Sequence, residues 1–234
     1  MCHMLKSKFG FAFASAIPFA LLAASASADV ITYDLTTTQL GVAVPPYVGP
    51  FVEVDVNRTS STTANITFKS LTDASGYTYL FRSQQAAGVE VNATSWTVSN
   101  IMAFNTLGPP FTGPIPSNGG SGNEDGYGSF NQTISLADGF KGSANDISFI
   151  LTDTSGTWAS ASQVLTNNGS GQPIAAEIGA YNAALNFGDF TATGFSGDAR
   201  VIPQGPPLVP EPGSLALLGT GLAALGLIWR RKSA

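Results

Sequence analysis

Glu53 and Asp55 stand two residues apart within Phe51–Val56. On one face of a strand that spacing separates two carboxyls by about 6.5–7 Å. A glycosidase flanks its sugar bond with two carboxyls roughly 5–10 Å apart, so the pair is spaced for hydrolysis. The same alternation offers a plainer role, in which Val52, Val54 and Val56 face a core and the two acids face water. A second constellation is the run Gly119–Gly126, where Asn123, Glu124 and Asp125 put oxygen ligands on a backbone able to wrap calcium. Its register fits an EF-hand loop poorly. Asn123, Asp125 and Gly126 match positions three, five and six, but Ser121 occupies position one and Gln132 position twelve. A solvated loop is the competing reading, and no metal or other cofactor is assigned. Tyr127 and Trp158 are the candidate sugar contacts, with Trp96 beside them, because aromatic faces stack on sugar rings while their edges hydrogen-bond. Core packing accounts for the tryptophans equally well, and Tyr127, next to the glycine run, is the one expected at the surface.

The elements that would position these residues read as short strands separated by turns. Val30–Thr38 is a first strand and Leu40–Pro50 a loop. Phe51–Val56 and Thr63–Leu71 form a hairpin through Arg58–Ser61, with Ala64, Ile66 and Phe68 on one face and Asn65, Thr67 and Lys69 on the other. After a turn at Asp73–Gly76 come strands at Tyr77–Arg82 and Gly88–Val98. Leu107–Gly128, crowded with proline and glycine, reads as a long loop. Strands resume at Ser129–Leu136, where Phe130, Ile134 and Leu136 share a face, and at Asp146–Thr152. Trp158–Leu165 fits either a helix or a strand, Ala175–Asn186 contains the best candidate for a short helix, and Phe187–Phe195 returns to strand character. The expected fold is all-β: one antiparallel β-sandwich-like ectodomain over residues 29–200, because no helix alternates regularly with the strands.

Two segments lie outside that domain. Lys6 and Lys8, an apolar run from Phe9 to Ala24, and Ala26-Ser27-Ala28 make a secretory signal peptide over residues 1–28, cut after Ala28 or after Ala26. Cys2 and His3, the only residues of their types, leave with it. The mature chain then has no disulfide, no catalytic unit built on its own Cys or His, and no metal site that needs thiolate or imidazole. Residues 29–212 hold five basic residues against all fifteen acids, a net charge of −10 that opposes binding to phosphate backbones, so nucleic acid is excluded as a partner.

At the other end, residues 201–212 are a proline-rich linker finishing in Val209-Pro210-Glu211-Pro212. Gly213–Trp229 is an uncharged run of seventeen residues, and Arg230, Arg231 and Lys232 follow it within a tail over 230–234. As a helix the run reaches roughly 26 Å, a little short of a hydrocarbon core of about 30 Å. It is read as a transmembrane segment with the cations held cytoplasmic as a stop-transfer signal. These residues resemble the PEP-CTERM sorting signal of Gram-negative exosortase systems. The resemblance is confined to the tail. It implies exosortase as partner, a transient membrane anchor, removal of the tail, and export to an envelope or extracellular matrix rich in exopolysaccharide. The expected function is a non-catalytic surface or matrix protein. The alternatives are a carbohydrate-binding module and, third, an extracellular hydrolase using carboxylates alone.

Overall fold

The computed structural model describes residues 29–40, 47–106, 115–137, 142–184 and 190–203. In chain order the strands are β1 (Asp29–Thr38), β2 (Val52–Arg58), β3 (Thr63–Ser70), β4 (Thr78–Arg82), β5 (Ala87–Val89) and β6 (Trp96–Phe104), then β7 (Ile115–Glu124), β8 (Gly128–Ala137), β9 (Ser143–Ala144), β10 (Asp146–Asp153), β11 (Ile174–Tyr181) and β12 (Ala192–Ile202). No α-helix occurs among the described residues; Ala161–Gln163 makes one 3-10 turn. The signal peptide and the apolar run 213–229 lie outside the described residues, among which no helix is long and apolar enough to cross a membrane.

The pairings are antiparallel, and the sheet runs β6-β10-β3-β2-β1-β12-β11-β5-β8-β7, with β4 joining β11 to β9. It rolls up until its edge strands β6 and β7 lie against each other, a nearly closed barrel or flattened sandwich. A side chain bridges the seam. Gln132 on β8 accepts from Trp96 Nε1 on β6 (3.1 Å) and donates to Asn118 Oδ1 on β7 (2.8 Å).

Alternation decides which face is buried. Val52, Val54 and Val56 on β2 are fully buried, as are Ala64, Ile66 and Phe68 on β3, while Ile147, Phe149 and Leu151 on β10 are nearly so. Phe68 packs edge-on against Phe81 at 6.0 Å and Phe51 against Tyr79 at 4.8 Å. Each such fully buried side chain contributes about 1.5–3 kcal/mol.

Several segments depart from the sequence reading. Ile115–Glu124, read as part of a long loop, is strand β7, because ladder hydrogen bonds come from the backbone and need no side chain. Two of its glycines are there for room: a Cβ on Gly119 would meet Thr133 Oγ1 at 2.5 Å, and one on Gly122 would meet Thr133 Cγ2 at 2.8 Å. Ala175–Asn186, the best helix candidate, contributes strand β11, whose Ile174, Ala176, Ile178 and Ala180 enter the main core with the period of a strand. Gly88–Val98 is two strands, β5 and the start of β6, separated at Glu90–Ser95. Strand β12 continues through Ile202, so the sheet takes in two residues assigned to the linker. Phe130 does not share a face with Ile134 and Leu136. The β7–β8 register shifts between Gly120 and Gly122, and Phe130 turns into a second, smaller cluster with Tyr127, Ala175 and Phe195.

That cluster coats the face of β11 and β12 opposite the core, and glycines seat it. The Tyr127 ring lies where a Cβ on Gly197 would be, and Phe190 occupies the same position over Gly179. Gly197→Ala is expected to cost about 1–3 kcal/mol by forcing the Tyr127 ring off its seat. Urea unfolding checks this, and an unchanged midpoint would show that the ring moves freely.

Candidate functional site

Glu53 and Asp55 do point out of the core, and they converge on a single cation. Lys69 Nζ on β3 donates to Glu53 Oε1 (2.8 Å) and to Asp55 Oδ2 (2.6 Å), while Thr32 Oγ1 donates to Asp55 Oδ1 (2.6 Å). Cross-strand register brings them together, since Glu53 pairs with Lys69 and Asp55 with Thr67. The bonds from Asp55 and Glu53 hold the Lys69 ammonium above its usual range. Both carboxylates are therefore committed to a half-exposed ion pair. Lys69→Met is expected to cost no more than about 1 kcal/mol, with the loss fading at high salt. Denaturation midpoints at two ionic strengths measure it.

The acidic run predicted for calcium is divided by the fold. Asn123 and Asp125 stay exposed and bond to each other (Nδ2 to Oδ1, 3.0 Å) in the turn that joins β7 to β8. Tyr127 N donates to Glu124 O across that turn (2.9 Å), and Gly126 takes the left-handed conformation it requires, with φ +82°. Glu124, by contrast, is fully buried. Its side chain lies over Gly88 of β5, where a Cβ would come within 2.9 Å of Oε1, and neither carboxyl oxygen has a hydrogen-bond partner. Burial first, then the charges of Glu177 and Asp125, push its carboxyl well above the ordinary value. Glu177 on β11 is also raised by burial, although a bond from the Ser83 hydroxyl and the nearby Arg82 guanidinium, 3.9 Å away, oppose the shift. Among the described residues no cluster of three or more acids or other ligating side chains could hold a metal ion.

Neither aromatic candidate offers a face to a sugar. Tyr127, expected at the surface, is 7% exposed, because the β7–β8 hairpin folds its tip down onto β12. Its hydroxyl lies 3.1 Å from Thr37 Oγ1. Trp158 is 2% exposed and spends its Nε1–H on Asn92 O (2.8 Å). Trp96 is half-buried against the core.

Trp158 nevertheless forms part of the wall of a cleft of about 550 Å³ at the end of the barrel where β10 stops and β6 starts. Asp153, the last residue of β10, organises one side: its Oδ1 accepts from Ser155 N (2.8 Å), Ser155 Oγ (3.0 Å) and Gly156 N (2.8 Å). Burial acts to raise this carboxyl, but those bonds outweigh it and hold Asp153 below its ordinary value. Across the cleft, Asn131 pairs both ways with the Val91 backbone, and its own N–H donates to Glu90 Oε2 (2.9 Å). Asn92 and Gln163 complete a lining that is almost wholly polar, carries two carboxylates and contains no basic residue. Such a surface can exchange hydrogen bonds with a polyhydroxyl ligand and repels an anionic one. The sequence reading missed this cleft. Its one visible signal was the turn-forming run Asp153-Thr154-Ser155-Gly156 ahead of a tryptophan.

The sorting residues Val209, Pro210, Glu211 and Pro212, the basic residues Arg230, Arg231 and Lys232, and the cleavage-site residues Ala26 and Ala28 lie outside the described residues. No curated protein and no solved structure matches the chain. A family model described as the PEP-CTERM protein-sorting motif matches residues 208–232. That motif marks an exported protein, processed at the membrane, with exosortase as its partner. The chain carries the PEP-CTERM protein-sorting motif at its C-terminal end, over residues 208–232.

Proposed function

We propose that this is a non-catalytic surface or matrix protein of a Gram-negative envelope, held briefly in the inner membrane by residues 213–229 and retained among exopolysaccharide after exosortase removes the tail. The observation that carries the reading is the motif at 208–232 behind a rolled β-domain. The commitment of Glu53 and Asp55 to Lys69 supports a role other than hydrolysis. The test is retention: in cells unable to make exopolysaccharide, the processed protein moves from the cell-associated matrix to the medium. Continued retention there would exclude the polymer as what holds it.

A second reading, a carbohydrate-binding module, is favoured by the polar cleft bounded by Glu90, Asn92 and Asp153. It now rests on hydrogen bonding rather than on aromatic stacking. Titration with neutral and with uronic-acid oligosaccharides separates the cases. Binding of the neutral class alone, weakened by Asn92→Ala, supports the module; binding of neither leaves the cleft without a glycan role.

A further inference from the structure

The outer surface of the sheet divides in two by what its polar side chains do. Over β1 and β2 they bond to one another and to Lys69, as Thr32 does to Asp55, and Lys69 to Glu53 and Asp55. Beyond Lys69, over β3, β10 and β6, they do not. The side chains of Asn65, Thr67, Asn100 and Ser148 make no hydrogen bond to any described residue. All four line one cavity of about 350 Å³, to which Met102 and Ile150 add apolar surface.

Strand register brings these groups together. Thr67 pairs with Ser148 and Ser148 with Met102, while Asn65 pairs with Ile150, so they stand in two adjacent cross-strand rows on one face. A bulge lies where the rows meet. Ser148 opposes Met102 but Ile150 opposes Ser99, which gives β6 one residue more than β10 over this stretch, and Asn100 within it takes a left-handed conformation, φ +48°. The next row brings Phe104 to the same face, two residues from Met102 and cross-strand from Asp146. Phe104 is 53% exposed and Met102 48%.

Apolar side chains exposed singly need no explanation, but here an aromatic face, a thioether and four unspent amide and hydroxyl groups share one patch. They match the two kinds of surface on a sugar ring, since its C–H faces pack on apolar side chains and its hydroxyls exchange hydrogen bonds with the groups around the cavity. No charged side chain lines that cavity. Asp146, beside Phe104, belongs to the net charge of −10 over residues 29–212, which repels polyanions.

We infer that this face is a second glycan surface, on which Phe104 and Met102 stack against a neutral polysaccharide while Asn65, Thr67, Asn100 and Ser148 hold its hydroxyls. The inference rests on the carbohydrate-binding reading and extends it to a surface that shares no lining residue with the cleft. It also supplies the aromatic contact that the buried Tyr127 and Trp158 do not.

Affinity electrophoresis tests it. Full-length protein, kept soluble in a polyoxyethylene detergent, is run through native gels containing dextran, hydroxyethyl-cellulose or galactomannan as neutral probes, or alginate as the anionic one. At least one neutral polymer should retard the wild type; Phe104→Ala should weaken that binding several-fold at an unchanged urea midpoint, and Phe104→Trp should keep it. Asn100→Gly retains the left-handed backbone and removes only the side-chain amide, so it too should weaken binding several-fold. Binding that survives both Phe104→Ala and Asn100→Gly but is lost in Asn92→Ala places the polymer in the cleft alone and overturns the inference. Stronger retardation by alginate than by the neutral polymers overturns the ligand class. Retardation by none of the polymers overturns the inference together with the carbohydrate-binding reading.

Discussion

With Pro210, Glu211 and Pro212 replaced by alanine, the protein is expected to cross the inner membrane normally and then accumulate there uncut, with residues through Ala234 still attached. Two separate signals produce that split outcome. The N-terminal apolar run and its Ala26-Ser27-Ala28 site are expected to drive export and are untouched by the change. At the other end, each proline biases the residue before it, Val209 or Glu211, toward an extended conformation, the form in which a peptidase takes a strand into its cleft. Alanines there favour a helical conformation instead. Intact mass of envelope and extracellular material decides the matter. Wild-type protein recovered with residues through Ala234 would make the tail an ordinary anchor.

A second large effect is expected at Glu124. Because its carboxyl is raised in the folded protein, it favours the fold fully below the ordinary glutamate value of 4.5, and that contribution is lost as pH climbs from there through the raised value. On the alkaline side the fold must carry an ionised, unbonded carboxylate over Gly88, close to Glu177 and Asp125. An uncompensated buried charge costs on the order of 3–5 kcal/mol, less whatever the chain recovers by letting the β7–β8 hairpin lift. Glu124→Gln keeps the shape and removes the charge, so its stability should fall less than the wild type's over the pH range in which both weaken, the residual slope belonging to Glu177 and the other raised carboxyls. Asp73 and Asp153 act in the opposite direction. Both are held below their ordinary value of 3.8, and the stability they supply is lost only as pH falls through that region and lower. Urea midpoints of wild type and Glu124→Gln from mildly acid to alkaline pH check the prediction. Parallel curves would mean that Glu124 gains water or a partner when it ionises.

What the sequence reveals depends on whether side chains or backbone decide the outcome. The alternation in Val52–Val56 and in Ala64–Phe68 is a side-chain signal, and both strands lie where it puts them. Strand β7 has no such signal. Its residues pair because β8 presents a ladder to them, and Gly119 and Gly122 record close approach to Thr133, which reads in sequence as looseness. The alanines of β11 mislead for a related reason. Alanine is the best helix former, but Ala176 and Ala180 are small because the strand is packed tightly in the core. Tyr127 and Glu124 were misplaced together, since a hairpin tip that folds back onto its own barrel buries what a protruding loop would expose. Asn131 and Asn168 each stand in for backbone, which nothing in the sequence marks. Asn131 bonds both ways to Val91, and Asn168 ties Tyr127 O to Gln172 N. The tail was the most legible segment, because its signal is chemical order along the chain and does not depend on folding.

The pairing of β1 with β12 sets a timetable as well as a shape. A chain exported N-terminus first delivers β1 and β2 at once, but the other flank of β1 has no partner until β12 emerges, with Thr38 waiting for Ser196. During that interval one flank of a strand at the middle of the sheet is bare, the kind of edge that recruits foreign strands. The residues that cover it are followed almost immediately by the sorting motif. Closing the barrel and reaching the sorting enzyme thus become consecutive events on the same short stretch of chain. On the proposal that residues 213–229 tether the chain, any time the tail spends in the bilayer is time in which β12 can seat before the protein is let go.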